Sequence, residues 1–320
     1  MGSHLRLVVV GGTARERRAA WATVREEFER TEQALSRFRD SAELVALDRA
    51  PGTWMTVSRR LYRAVALADR AWRRSGGRFD PRILGRLEEL GEHGAAVAIE
   101  DTGGSRPRLA TGSPAARDPR ASRLLVRDPI DLGGLGKGLA LRWALGAARA
   151  VAPSLGGLLV DAGGDVAAAG RPADAERWRI GVEDPFGGTE PLAVVEVAGG
   201  SLATSSTRVR RWLSDDGRPV HHLIDPRTGE PGGDGLVAVT VAGPDPAWSE
   251  VATKELFLAG SSRIGPEARA RDLAAWWVTA DGVLAMTPAA RVATVWERGP
   301  TPGGTRPPGD SGLPSAVPGA

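Results

Sequence analysis

Five short stretches of this 320-residue chain bring together residue types that can do chemistry. The first is Asp131-Leu-Gly-Gly134-Leu-Gly-Lys137-Gly138, at the start of an Ala/Leu-rich run that reads as a helix. It misses the P-loop pattern, which needs glycine where Asp131 stands and Ser or Thr where Gly138 stands, and it misses GxGxxG as well. Its physics still resembles those loops, because glycines let backbone approach a ligand and free N–H groups at a helix start face an anion. A lysine there is disfavoured by the helix dipole, typically by ~0.3–1 kcal/mol, unless an anion answers it. The stretch is therefore either a phosphate-holding loop or a tight turn with an exposed Lys137.

The second stretch, Leu158-Leu-Val-Asp161-Ala-Gly-Gly-Asp165, is an apolar strand running into a Gly-Gly turn flanked by carboxylates. Carboxylates at a strand end serve a metal or a ribose, and equally they serve ordinary turns. In the third, His221-His222-Leu-Ile224-Asp225-Pro-Arg-Thr-Gly229, a neutral His near an Asp can act as a base or position a substrate. The plain alternative is an Asp-Pro-x-x-Gly turn. The fourth, Ser201-Leu-Ala-Thr204-Ser205-Ser206, is hydroxyl-rich and could donate to phosphates or cap a helix. In the fifth, Glu250 and Lys254 stand four apart with the acid first, the favourable order for an ion pair on a helix surface.

The elements that must position these groups follow from periodicity and punctuation. Residues 5–10 read as a strand closed by Gly11-Gly12, and Trp21, Val24, Phe28, Leu35 and Phe38 mark an amphipathic helix over 14–38. Ser58 caps a second helix that ends at Ser75-Gly76-Gly77. Strands are expected at 123–130, 156–161, 177–182, 192–198, 236–242 and 275–280, and helices at 138–151 and 247–259. There is no regular βαβ rhythm, so the fold class is α+β. One domain over 1–298 is expected, with a Gly/Pro/Ser-rich surface excursion at 100–121 and a disordered Gly/Pro-rich tail at 299–320.

Composition narrows the classes. With no cysteine there is no disulfide framework, no Cys-ligated zinc and no cysteine nucleophile, and no lipid-anchored terminus is expected. No apolar window approaches the ~18 residues of a membrane span. LRLVVV is too short for a signal peptide and no cleavage-like site follows, so the expected compartment is the cytoplasm. The formal charge is +3 and the pI about 10.0, yet the arginines are scattered and aromatics are few, which argues against nucleic-acid binding. Only two basic residues are lysines, Lys137 and Lys254; the other forty are arginines, which makes each lysine informative.

The order of motifs resembles the ApbE-type flavin transferases, the FAD:protein FMN transferases. The match runs through Ser36-Arg37-Phe38, Gly76-Gly77-Arg78-Phe79-Asp80-Pro81, Asp131 to Gly138, Asp161-Ala-Gly-Gly-Asp165, Ala203-Thr204-Ser205, His222 to Gly229, and Leu256-Phe257-Leu-Ala-Gly260. It covers residues 1 to 298 and implies an α+β domain with mixed or antiparallel sheets. That domain would bind FAD, cleave its pyrophosphate with Mg2+, release AMP and move FMN onto a Ser/Thr hydroxyl of an acceptor protein. The resemblance places Met1, Phe79, Asp80, Asp131, Lys137, Thr204, Ser205, His222 and Ile224 at the flavin nucleotide, and His222, Asp225 and Glu250 in catalysis. It places Gly134, Glu250 and Lys254 at the metal. Three departures matter. Asp161 replaces the family's Asn, and Met1-Gly2-Ser3 matches either the family's flavin-touching Met-Gly-Thr or a cloning remnant. Glu250 replaces a metal-binding Asp and Lys254 a metal-binding Thr, so the alternative function is a flavin-binding or FAD-hydrolysing relative without protein transfer.

Overall fold

The β-branched run at the N-terminal end forms Leu5–Gly11 (β1), paired antiparallel with Leu155–Ala162 (β2). The sheet continues through Asp165–Gly170 (β3), Gly200–Ser206 (β4), Leu236–Gly243 (β5), Ala274–Thr279 (β6) and Leu284–Met286 (β7), seven strands in that spatial order. The computed structural model describes residues 4–94, 111–208 and 210–299. Every strand pairing among them is antiparallel, so the α+β expectation holds and the mixed sheet does not arise. The β2–β3 hairpin closes through Gly163 and Gly164, whose φ values of 66° and 91° suit the tight turn that matches strand twist. That turn delivers Asp165 to the sheet face used below.

Helices Ala14–Leu35 (α1), Arg59–Arg74 (α2), Gly136–Val151 (α3) and Pro246–Phe257 (α4) cover the sheet and each other. Ala20 and Val24 of α1 meet Leu141, Ala144 and Ala148 of α3 over Leu158 and Val160 of β2. A second core joins Leu61 and Val65 of α2 to Ile130, Leu132 and Leu135 before α3 and to Val251 of α4. The glycine loop is thus clamped between two cores. Among the described residues no helix is long and apolar enough to cross a membrane.

Several boundaries differ from the expectation. Helix α1 stops at Leu35, so Phe38 leaves the apolar stripe and stands 59% exposed under the Arg37 guanidinium, 4.2 Å away. Within the expected excursion at 100–121, Ala115–Asp118 is a strand paired with Arg123–Val126, and 100–110 lie outside the described residues. The tail beyond residue 299 also lies outside them. The hydroxyl-rich Ser201–Ser206 is part of β4 and not a helix cap, because its alternation fits between β3 and β5.

Asp48, 1% exposed, accepts the Ile130 N–H at 3.1 Å and so pins the entry to the glycine loop. Burial pushes its carboxyl up to about 8 from 3.8, with the charge of Asp131 adding to the effect. The folded chain therefore holds a proton that the unfolded chain releases, and stability falls as pH rises from about 4 to about 8. Asp48→Asn should stabilise the fold by ~2 kcal/mol or more at the upper end of that window and converge with the parent at the lower end. Urea unfolding at both ends checks this; parallel curves would contradict it.

Candidate active site

A cavity of about 840 Å3 opens between the start of α3, the β4 strand, Lys254 of α4 and the 222–226 segment. Phe79, Asp80, Asp131, Gly134 and Lys137 line one side of it. Thr204, Ser205, His222, Ile224 and Lys254 line the other. Glu250 and Asp225 do not line it, and Met1 lies outside the described residues.

Beneath the cavity floor is a compact charge cluster. Lys137 ion-pairs with Asp165 and lies 3.8 Å from Glu250 Oε1, while Lys254 Nζ donates to the same oxygen at 3.2 Å. Glu250 Oε2 accepts the Gly138 N–H at 2.8 Å, so a carboxylate from α4 caps the N-terminal end of α3. Asp165 Oδ1 accepts the Thr204 N–H at 2.8 Å, tying the cluster to β4. The anion that answers Lys137 is internal, supplied by residues far away in sequence. Both carboxylates are almost fully buried, Asp165 at 2% and Glu250 at 1% exposure. Burial works against the Lys137 charge, yet Asp165 and Glu250 outweigh it and hold its pKa above the ordinary lysine range. Lys254 shifts the other way: burial lowers its pKa, Glu250 opposes this, and the nearby Lys137 charge adds to the lowering.

The walls are held by local hydrogen bonds. Thr253 Oγ1 donates to the Glu250 carbonyl at 2.7 Å, which leaves Ser205 as the donor in their 2.7 Å bond. Thr204 Oγ1 meets Thr240 Oγ1 at 2.9 Å. Asp131 accepts the Gly133 N–H and pairs with Arg37 at 3.4 Å. Asp80 accepts the Arg82 N–H at 2.9 Å, capping the 81–83 turn, and its other oxygen pairs with the Arg82 guanidinium at 2.7 Å. The Phe79 ring lies so close to the loop that a Cβ on Gly134 would come within 2.9 Å of it.

His222 Nδ1 lies 3.3 Å from the Arg210 carbonyl, which can only accept, so Nδ1 carries the proton and Nε2 is the bare nitrogen. Burial, then the Arg210 and Lys254 charges, push its pKa well below the imidazole range, which keeps the ring neutral. Ile224 and Asp225 form a short strand against Glu230–Pro231. Asp225 accepts the Arg227 N–H at 2.9 Å and its carbonyl accepts the Gly229 N–H at 2.8 Å, so Asp225 builds the turn that holds His222 and Ile224. Asp161 likewise accepts the Gly164 N–H at 3.0 Å as a turn residue. Arg208 and Arg210 also line the cavity, and nothing in the sequence separates them from the other arginines.

The residues at the expected metal position do not fit a divalent cation. Mg2+ asks for several free oxygens in a near-octahedral shell, but both Glu250 oxygens and both Asp165 oxygens already accept N–H groups. Two ammonium groups stand where the metal would be attracted. Among the described residues no group of three or more His, Cys, Asp or Glu side chains could hold a metal.

Comparison with known proteins agrees with this frame. The ApbE family model matches residues 1–277. The FAD:protein FMN transferase of Treponema pallidum is 30% identical over 77% of this chain and 73% of its own. The ApbE protein of Thermotoga maritima superposes with a TM-score of 0.80 at 25% identity, covering 93% of this chain and 97% of that one. The flavin transferase ApbE of Vibrio cholerae shares the fold with a TM-score of 0.76 at 19% identity, over 92% and 96% of the two chains. The ordered motifs, the meander sheet and the loop-and-lysine cavity all converge on one conclusion: this chain belongs to the ApbE family.

Proposed function

We propose that this protein transfers FMN from FAD to a Ser or Thr hydroxyl of an acceptor protein and releases AMP. The observation that carries the reading is that Lys137 and Lys254 line one cavity together with His222, whose Nδ1 is taken by the Arg210 carbonyl. In the reaction the acceptor oxygen bonds to the phosphorus of the FMN half. The phosphorus–oxygen bond to the bridging oxygen breaks, and its electron pair leaves with AMP. The hydroxyl proton passes to His222 Nε2. Lys137 answers the charge that develops on the phosphates, as preorganised cations do in phosphoryl transfer. Phe79 and Ile224 supply apolar walls for the flavin ring, and Asp80, Asp131, Thr204 and Ser205 line the nucleotide's path. Asp225 and Glu250 act as positioning residues, the first through its turn and the second through its grip on α3 and both lysines.

A second reading has water in place of the acceptor hydroxyl, giving free FMN and AMP; Lys254 at a family metal position favours weighing it. Incubation with FAD and an acceptor domain bearing an exposed Ser or Thr separates the two. Acid-stable flavin fluorescence on the acceptor supports transfer, free FMN with AMP supports hydrolysis, and the absence of FAD binding would sink both.

The histidine makes a pH prediction. Its folded pKa lies well below 6.5, so the base stays neutral and the acid limb of kcat/KM should fall below that value. His222→Gln should remove the limb. A parent profile that breaks at the ordinary imidazole pKa would contradict the assignment.

A further inference from the structure

We infer that Lys254 is a built-in replacement for the divalent cation: its ammonium supplies counter-charge to the substrate pyrophosphate, and FAD binds and reacts without added metal. This rests on the flavin-transfer reading above and deepens it.

The geometry argues for substitution and not for a weakened metal site. Lys254 reaches Glu250 Oε1 at 3.2 Å from four residues along the same helix, and its Cε passes 3.9 Å from where a Gly134 Cβ would stand. The ammonium therefore lies under the glycine loop, on the cavity wall that also carries Lys137. Two carboxylates, Asp165 and Glu250, meet two ammonium groups, Lys137 and Lys254, so the resting cluster is neutral without a metal. A divalent ion added there would meet two like charges and only carboxylate oxygens that already accept N–H groups. The side-chain type fits the same reading. A lysine is a compact point charge, whereas a planar guanidinium spreads its charge over a fork. In a chain with forty arginines, both lysines approach one glutamate oxygen, at 3.2 and 3.8 Å. The bonds made and broken are those given above. Lys254 supplies only counter-charge, to the bound pyrophosphate and to the oxygen that departs with AMP.

The test compares the parent protein with Lys254→Thr, using FAD as ligand, with the Ser/Thr-bearing acceptor domain present for turnover, in excess EDTA or excess Mg2+. Binding is read by quenching of flavin fluorescence and cleavage by AMP release. Mn2+ uptake is followed separately through loss of the free-ion electron paramagnetic resonance signal. The parent should bind and cleave FAD equally in EDTA and in Mg2+, and should take up no Mn2+. Lys254→Thr should lose about tenfold or more in FAD affinity in EDTA, recover it in Mg2+, and take up Mn2+. If that variant fails to fold, Lys254→Gln keeps a hydrogen bond to Glu250, loses the charge, and should show the same loss in EDTA. A parent whose FAD cleavage collapses in EDTA and returns with Mg2+ overturns the inference while leaving flavin transfer intact. A parent that binds no FAD under either condition overturns both.

Discussion

Lys137→Met should lower kcat/KM for FAD cleavage by about 10²–10³, the loss seen when one preorganised charge stabiliser is removed from a transition state. Methionine keeps the length and apolar stem of the side chain, so the change is in charge. Two effects combine and can be separated. The first is on folding: Asp165, 2% exposed, loses its cation and keeps only the Thr204 N–H. Removing one partner of a buried pair costs ~3–5 kcal/mol. Glu250 is less affected, since Lys254 and the Gly138 N–H remain on it. The second effect is on catalysis, through lost attraction for the pyrophosphate. The double variant Lys137→Met/Asp165→Asn removes the stranded charge and should regain much of the stability while staying as inactive as the single variant. Denaturant unfolding and FAD turnover, measured on both, give the answer. Near-parental turnover in the single variant would show that Lys137 serves only the fold.

Gly138→Ala should damage the site through a single methyl. A Cβ at Gly138 would lie 2.5 Å from the Pro246 carbonyl oxygen and 2.6 and 2.7 Å from the Ala247 Cα and N. These are backbone atoms at the first turn of α4 and cannot rotate aside, so α3 and α4 must separate. Overpacking of this kind costs ~1–3 kcal/mol, and Tm should fall by roughly 2–12 °C. The same separation stretches the 2.8 Å bond from Gly138 N–H to Glu250 and shifts Lys137, so FAD affinity should fall with stability. Gly146, on the same helix, is the control. A Cβ there meets nothing within 4 Å, and Gly146→Ala should stabilise by ~0.5–1 kcal/mol through helix propensity. Two identical substitutions on one helix are thus expected to have opposite signs. Equal effects would mean that the α3–α4 contact does not set the site.

Much of the frame was legible before any coordinates. The apolar runs at β1, β2, β5 and β6 lie within a residue or two of the expected strands, and α2 begins after the Ser58 cap and ends before Gly76. The loop with Lys137 was recognisable from its glycines, although the anion facing it was not. Serine and threonine at 201–206 suggested phosphate donors or a cap; they form a strand because neighbours on both sides complete its ladder. Glu250 and Lys254 read as a surface pair, and tertiary packing instead leaves the Glu250 side chain 1% and the Lys254 side chain 13% exposed.

The division has a physical cause. Periodicity, capping and turn chemistry act over a few residues, so the chain alone determined the apolar strands β1, β2, β5 and β6, its main helices, the glycine loop and the order of motifs that marks the family. The charge cluster depends on contacts between distant segments: Gly138 meets Glu250 across 112 positions, Thr204 meets Asp165 across 39, and Lys137 meets Asp165 across 28. Which carboxylate caps α3, which anion answers Lys137, and whether Lys254 faces solvent or lies under a glycine loop were decided only when the sheet and helices closed. Desolvation and pairing energies exist only in that assembled interior.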